Sequence, residues 1–507
     1  MDRKFISEYV EQFFHLYWKE KIDDAFYILN QVICLLYIRS KDDLDKEHDK
    51  GNLFEADNLS EKCSWKYMKS LNEDDFADYF NDNVIPFLEA QNIFGYLYSP
   101  IVELVKFKDL RSISLTYELF LLISDLFDEI EKRLSMRKVS AIIYGIIYEE
   151  LLSRYYHSRI KGETKIPRHV SRLMAELLQP SLFNAIYTPT LGSGELLISV
   201  YQKIVSDGQS GNQVEYDTDG FAFGDLKHVN FDQNELRMLI MDGNQTNNRT
   251  LFLSIMNFYF HGVLSGFKYS TQHPLSNNNV ASIRPYSRII LAPLVPVSTN
   301  GIPNLDENLQ IKVGKNGPAM YFLKSLEQLQ EGGRLVALMP ESFLFVQDRA
   351  ITNFRSNLLS QYDLEAVISL PKEIFAPISN IKTSIIVLSK QQPTRNDVWM
   401  CELKNDGYSL NSKRQRNSET PLPELVVGFK ERSEVHNALM DTFLVSKTAI
   451  YNHRSALTVK FYDDSDVSTI SYNDPHEILS TLNKLEATIQ SELKDLSTLL
   501  DDGKILG

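Results

Sequence analysis

Through the first third of the chain, apolar residues return every three or four positions, as in YVEQFFHLYW, AFYILNQVICLLYI and LTYELFLLISDLFDEIEKRL. That spacing gathers them on one side of a 3.6-residue turn, so the pattern predicts amphipathic helices throughout residues 1–160. No alternating apolar–polar run interrupts them. The stretch SKDDLDKEHDKGNLFEADN, at 40–58, carries no apolar period and is expected to be a loop.

The period changes near residue 184. NAIYTP (184–189), ELRMLIMDG (235–243), RIILAP (288–293), RLVALMP (334–340), LEAVISLP (364–371), KTSIIVLSK (382–390) and VWMCELK (398–404) are short apolar runs that read as strands. Helical patterns separate most of them, among them ELLISVYQKI, RTLFLSIMNFYFHG, AMYFLKSLEQLQEGG and AITNFRSNLL. Strand–helix alternation predicts an α/β, Rossmann-like architecture with a mostly parallel, doubly wound sheet. The runs 382–390 and 398–404 are expected to form an antiparallel hairpin at its edge. Ligands of such sheets bind beyond the carboxyl ends of the strands.

From Asp474 onward, Ile478, Leu482, Leu485, Ile489, Leu493, Leu496 and Leu500 fall three or four residues apart. The spacing fits a coiled-coil stripe, and equally a last helix packed on its own domain. The length and the polar remainder favour a partner helix. The expected organisation is a helical domain at 1–160, an α/β domain at 161–455 and a helical tail at 456–507.

Composition narrows this picture. Of 507 residues, 43% are hydrophobic and 24% charged, the balance of an ordinary soluble domain. No run approaches the ~20 apolar residues of a membrane span, and charges interrupt the first apolar positions, unlike a signal peptide. The three cysteines, Cys34, Cys63 and Cys401, are scattered and form no CxxC pair. Neither a disulfide framework nor a metal site is expected, and a reducing cytoplasm fits. The net charge of −14 weighs against tight nucleic-acid binding by the chain alone. A local basic face or a partner would have to supply it.

The glycine loop TLGSG follows the first strand and opens a helix. Alone it is as much a tight turn as a ligand loop, but its neighbours carry more. GIIYEELLSRYY (145–156), KGETKIPRHVSRLMAELLQP (161–180), YTPTLGSGELL (187–197), GNQTNNRTLFLSIMNFYFHGV (243–263), GGRLVALMPESFLF (332–345), LEAVISLPKEIF (364–375) and DGYSLNSKRQR (406–416) succeed one another in this order. From about residue 140 to the C-terminus the chain resembles adenine-specific DNA methyltransferases, of the kind that serve as modification subunits of type I restriction systems.

The resemblance implies methyl transfer from S-adenosylmethionine to the amino group of an adenine flipped out of the duplex. It implies cofactor contacts at Pro167, Thr188, Thr190, Gly192, Ser193, Gly194 and Gln245. It places the target-base motif, Asn/Asp-Pro-Pro-aromatic, at Ala292, Pro293, Leu294 and Val295. It also implies specificity-type or other defence subunits held through the C-terminal helix, DNA contacted through the complex, and a dimer. The chain departs from the family pattern at the chemical positions. Ala292 has no side-chain acceptor for the adenine amino group, and Val295 has no ring to stack on it. Thr188 replaces the loop's acidic residue, Gln245 replaces the ribose-binding carboxylate, and Lys165 and Ile166 replace Tyr and Thr before Pro167.

Other residues have plainer readings. No Asn-Pro-Pro or Asp-Pro-Pro occurs elsewhere; the Asp-Pro in SYNDPHE suits a helix-entry turn. His261 is expected to be structural. Ser342 lacks the glycines of a nucleophile elbow. Lys413, Arg414 and Arg416 are expected on a solvated loop, with DNA-backbone contact as the second reading. Three functions follow: a catalytically impaired methyltransferase serving as scaffold; an active adenine methyltransferase with a divergent or partner-completed site; and a purely structural interaction protein.

Overall fold

A computed structural model of the chain describes residues 3–44, 64–86, 113–134, 141–159, 165–209, 215–217, 219–223, 235, 238–263, 267–277, 285–294, 301–411, 414–417, 420–463 and single positions between 483 and 494. Four long helices open it: α1 (Arg3–Lys19), α2 (Ala25–Leu44), α3 (Ile113–Leu134) and α4 (Ala141–Arg159). The periodic positions face inward, as Ile6, Val10, Phe13, Phe14 and Tyr17 show on α1.

The loop expected at 40–58 begins later than its polarity suggested, because α2 runs on through Leu44. The charges there are paired rather than solvated. Arg39 holds Asp43 one turn ahead at 2.9 Å, and Asp43 also accepts from the Tyr144 hydroxyl at 2.7 Å. Residues 45–58 lie outside the described residues.

The α/β part follows with α5 (Arg168–Leu178), β1 (Ala185–Thr188), α6 (Glu195–Asp207), β2 (Glu215–Tyr216), β3 (Ala222–Phe223), β4 (Ile240–Asn244), α7 (Asn248–Phe260), β5 (Phe267–Ser270), β6 (Tyr286–Leu291), α8 (Gly317–Gln328), β7 (Leu329–Pro340), α9 (Arg349–Gln361), β8 (Asp363–Ser369), β9 (Thr383–Ser389), β10 (Asp397–Leu403), α10 (Leu422–Glu431), β11 (Val435–His436) and β12 (Met440–Ser446). Asn247, Asn316 and Asp348 start α7, α8 and α9 by accepting the first free amides of each helix.

Ten strands form one sheet, in the order β5-β4-β1-β6-β7-β9-β8-β10-β12-β11. β5, β4, β1, β6 and β7 are parallel. An antiparallel hairpin closes the far edge, but β11 and β12 make it. The two runs expected there do not pair with each other. β9 inserts antiparallel between β7 and β8, and β10 lies beyond β8. All seven residues of β9, TSIIVLS, are buried, and a strand apolar on both faces gains most from a central position.

The first helices and the sheet share one hydrophobic core. The Tyr37 ring packs on Tyr259 of α7 at 5.1 Å, and the Tyr148 hydroxyl donates to the Leu253 carbonyl at 2.9 Å. One compact unit spans Met1–Val459, and Lys460–Gly507 forms a second. Of the tail stripe, Ile489 is described; it is helical and exposed. Ile478, Leu482, Leu485, Leu493, Leu496 and Leu500 lie outside the described residues. Among the described residues, no helix is long and apolar enough to cross a membrane.

Candidate functional site

The loop after β1 turns on two glycines in the left-handed region, Gly192 at φ +55° and Gly194 at φ +95°, where a side chain would be strained. Thr188, fully buried at the end of β1, accepts from the Thr190 amide through its hydroxyl at 3.3 Å. Thr190 Oγ1 in turn accepts from the Ala292 amide at 2.9 Å, joining the loop to the end of β6. Leu191 donates its amide to the Asn244 carbonyl at 3.1 Å and lays its side chain on Gly243, where a Cβ would come within 2.9 Å of it.

The carboxyl ends of β1, β4 and β6 are thus tied to one another. The fold brings Thr188, Thr190, Gly192, Ser193, Gly194, Gln245, Ala292, Pro293 and Leu294 to these ends. Gln245 is committed within the loops: its Nε2 donates to the Gly192 carbonyl at 3.5 Å and its Oε1 accepts from the Asn247 amide at 2.9 Å. Ala292 packs against the hydrophobic core and Leu294 is part of it. Val295 lies outside the described residues. Pro167 stands apart, at the start of α5.

Behind the glycine loop, the segments around Gly145 and His261 interlock. A Cβ on Gly145 would sit 2.6 Å from the His261 ring, so only glycine leaves the ring its place. Both ring nitrogens of His261 face oxygen acceptors, Nδ1 the Asn257 carbonyl at 2.8 Å and Nε2 the Glu149 carboxylate at 3.1 Å. Glu149 also pairs with Arg3 at 2.7 Å and with Arg168 at 3.5 Å. Burial pushes the Glu149 carboxyl up, but Arg3 and the hydrogen-bonded His261 outweigh it and hold the pKa down at about 2. Asn257 Nδ2 donates to the Ser193 carbonyl at 2.8 Å, so this knot also steadies the glycine loop. His261 serves position here, as its sequence context implied.

A second cluster corrects the expectation for one residue of the basic run. The Arg414 side chain is mostly withdrawn from solvent, paired with Asp406, which also meets His169 Nε2 at 2.8 Å. The His169 ring stacks on Tyr408 at 4.6 Å, and the Tyr408 hydroxyl donates to Asp219 at 2.8 Å. Arg416 lies 4.0 Å from Asp219 and is exposed, as expected of a solvated loop. Burial raises the Asp406 carboxyl, but hydrogen bonds and charge from His169 and Arg414 bring it below the usual range. Arg414 therefore leaves solvent because a buried carboxylate receives it. Lys413 lies outside the described residues.

Between the two clusters lies a cavity of about 630 Å³, walled by residues from α4, α5, α6 and the 374–378 and 408–416 segments. Pro167, Lys165, Glu195 and Asn257 line it. Sequence reasoning missed Glu149, Asp406 and Glu195 as organising groups. Glu149 and Asp406 fell inside the quoted GIIYEE and DGYS segments, and a carboxylate within such a motif was the available signal.

A family model described as N-6 DNA Methylase matches residues 140–468. The methylase subunit of the type I restriction enzyme EcoEI from Escherichia coli is 24% identical over 268 residues, 51% of this chain and 49% of that protein. The chain spans about half the length of the curated relatives it matches. Among solved structures, one describing complex assembly and conformational transition of the type I R-M system aligns with a TM-score of 0.61 and 19% identity, over 97% of this chain and 98% of that one. The methyltransferase subunit of a type I restriction-modification system from Streptococcus thermophilus aligns with a TM-score of 0.60 and 16% identity, over 91% and 99%. The fold is shared with these solved type I structures, and by its match over residues 140–468 this chain belongs to the N-6 DNA methylase family.

Proposed function

We propose that this chain is a modification-type subunit of a type I restriction or related phage-defence system, that its methyl-transfer site has lapsed, and that it serves the assembly as a scaffold. One observation carries the reading: the strand ends are bonded to one another through groups that would otherwise face a cofactor and a base. Gln245 has a single side-chain oxygen, already taken by the Asn247 amide, whereas two ribose hydroxyls call for a carboxylate. Ala292 offers the adenine amino group no side-chain acceptor, and its amide is held by Thr190. The residues present do not fit S-adenosylmethionine together with a flipped adenine.

The magnitudes support loss of function. A missing polar contact to a buried amino group costs ~1–3 kcal/mol, and a missing base stack a similar ~1–3 kcal/mol. Together they remove several powers of ten in rate, at about 1.4 kcal/mol each. The interlocked core around Glu149 and His261, by contrast, preserves the frame on which partners would assemble.

Calorimetry with S-adenosylmethionine at millimolar concentration is expected to give no binding heat; micromolar binding would overturn the reading. Methylation-sensitive sequencing of host DNA with and without the gene is expected to give identical adenine patterns. A gene-dependent pattern would favour an active enzyme with a divergent site, which the preserved turns at Gly192 and Gly194 support. The tail is proposed to hold a specificity-type subunit, with DNA reached through the complex. Deleting residues 474–507 should abolish co-purification of that partner, and survival of the complex would refute the role of the tail.

A further inference from the structure

Toward the amino ends of β1, β4 and β6, on the rim of the sheet away from the strand ends described above, one cation lacks a counter-charge. Arg288 of β6 stands directly opposite Arg334 of β7 in the parallel register. Like charges facing each other on neighbouring strands repel. Arg334 is satisfied, because its guanidinium holds both oxygens of Glu365 at 2.9 and 2.8 Å. Arg288 is not. Its Nε donates to the Gln179 carbonyl at 3.2 Å and its Nη1 to the Ser287 carbonyl at 2.9 Å. Among the described residues no carboxylate forms an ion pair with it. Burial and Arg334 push this guanidinium below its ordinary range, against the pull of Glu365. Most of its N–H groups are left over for a further acceptor.

A shortage of acid does not explain the gap. The chain carries 67 Asp and Glu against 53 Lys and Arg, so carboxylates are in surplus, yet none is placed here. A half-buried charge without a partner is costly to the chain alone, and an incoming carboxylate would relieve that cost.

Two large apolar side chains stand open to solvent at the same rim. Arg288 is bonded to the 179–184 segment through Gln179, and that segment carries Phe183, 73% exposed. Met238, 60% exposed, leads into β4. Phe183 and Met238 each precede a residue of the paired Ala185 and Ile240 by the same short interval, so the register brings them to neighbouring positions. Single exposed apolar residues are ordinary. Two in register beside an unmatched guanidinium make a surface of mixed character.

That mixture narrows the occupant. A guanidinium fork matches a carboxylate in a bidentate pair, and the apolar flanks call for apolar anchors. A phosphodiester backbone would need several cations in a row, whereas this rim sets one between apolar groups. We propose that the rim docks an acidic–apolar segment of a partner protein, with a carboxylate of that segment on Arg288 and its apolar side chains over Phe183 and Met238. The contact is separate from the one proposed for the tail. It holds whether or not methyl transfer has lapsed, since Thr188, Gln245 and Ala292 lie at the other ends of these strands.

Anisotropy of fluorescein-labelled synthetic peptides titrated with the full chain tests the proposal. The probe is a short peptide in which Glu alternates with Leu and Phe. One control carries Lys in place of Glu, and another carries Ser in place of Leu and Phe. The probe should bind, and each control should bind about tenfold more weakly or worse. Arg288→Met and Phe183→Ser should each weaken the probe about tenfold. Phe183 is exposed, so Phe183→Ser leaves the core intact and carries the test if Arg288→Met fails to fold. Leu444→Ser alters an exposed apolar residue of β12, across the sheet, and should leave binding unchanged. No probe binding at about 1 mM chain, or equal binding of the Lys peptide, overturns the proposal. So does probe binding that Arg288→Met and Phe183→Ser leave intact, or that Leu444→Ser weakens as much. A labelled DNA duplex that binds the chain and is released by Arg288→Met would assign the rim to phosphate, and would equally overturn it.

Discussion

Glu149→Gln removes one charge from the knot behind the glycine loop and keeps nearly the same shape. In the folded chain the carboxyl titrates at about 2, against an ordinary value of 4.5. The depressed value means that folding prefers the ionised form. Its stabilisation is fully present above the unfolded value and is lost as pH falls through the folded one. That difference corresponds to about 3 kcal/mol at neutral pH. That lies within the ~3–5 kcal/mol typical of breaking a buried ion pair. At pH 3 the same linkage leaves less than half of that.

Urea unfolding of both proteins, followed by tryptophan fluorescence at pH 7 and pH 3, measures the difference directly. The variant should be less stable by about 3 kcal/mol at pH 7, with the gap roughly halved at pH 3. Arg3 retains Glu150 at 3.3 Å and Arg168 retains Asp217 at 3.5 Å, so His261 is the group chiefly stranded. A gap below about 0.5 kcal/mol at pH 7, the scale of a surface charge, would refute the reasoning. So would a gap that does not change with pH.

Three further outcomes are expected. Gly145→Ala drives a methyl into the His261 ring and should destabilise by ~1–3 kcal/mol, read as a lower thermal midpoint. Arg355 is fully buried and donates to the carbonyls of Ser455, Phe343 and Val346 at 2.8, 2.8 and 2.9 Å. The single ammonium of Arg355→Lys cannot reproduce that fork, so about 3 kcal/mol should be lost in urea unfolding. Asp406→Asn should release Arg414 and His169 and make residues 406–416 a preferred site of limited proteolysis; an unchanged cleavage pattern would argue against the latch. Since the Asp406 carboxyl is also held low, the variant's deficit should shrink on acidification below the ordinary aspartate range.

What the chain determined by itself was local. The three-to-four-residue period of α1 to α4, the strand–helix alternation after residue 184 and the glycine turn are set by neighbours a few positions apart, and they were legible in the sequence. Residue identity alone also says that the Ala292 side chain has no hydrogen-bond acceptor and that Gln245 has a single side-chain oxygen. Pairing was another matter. Nothing local to 382–390 says that it lies between β7 and β8, since an apolar strand suits either the edge or the centre until its neighbours compete for it. The charges of SKDDL read as a loop because their partner Tyr144 lies 101 residues from Asp43. Arg414 read as solvated because the site that receives it is shared with His169, 237 residues before Asp406. The cavity that Lys165 and Glu195 line exists only once segments far apart in the chain close around it. Periodicity is an interaction of each residue with its own turn, whereas the partner of a buried charge is chosen by the whole tertiary fold.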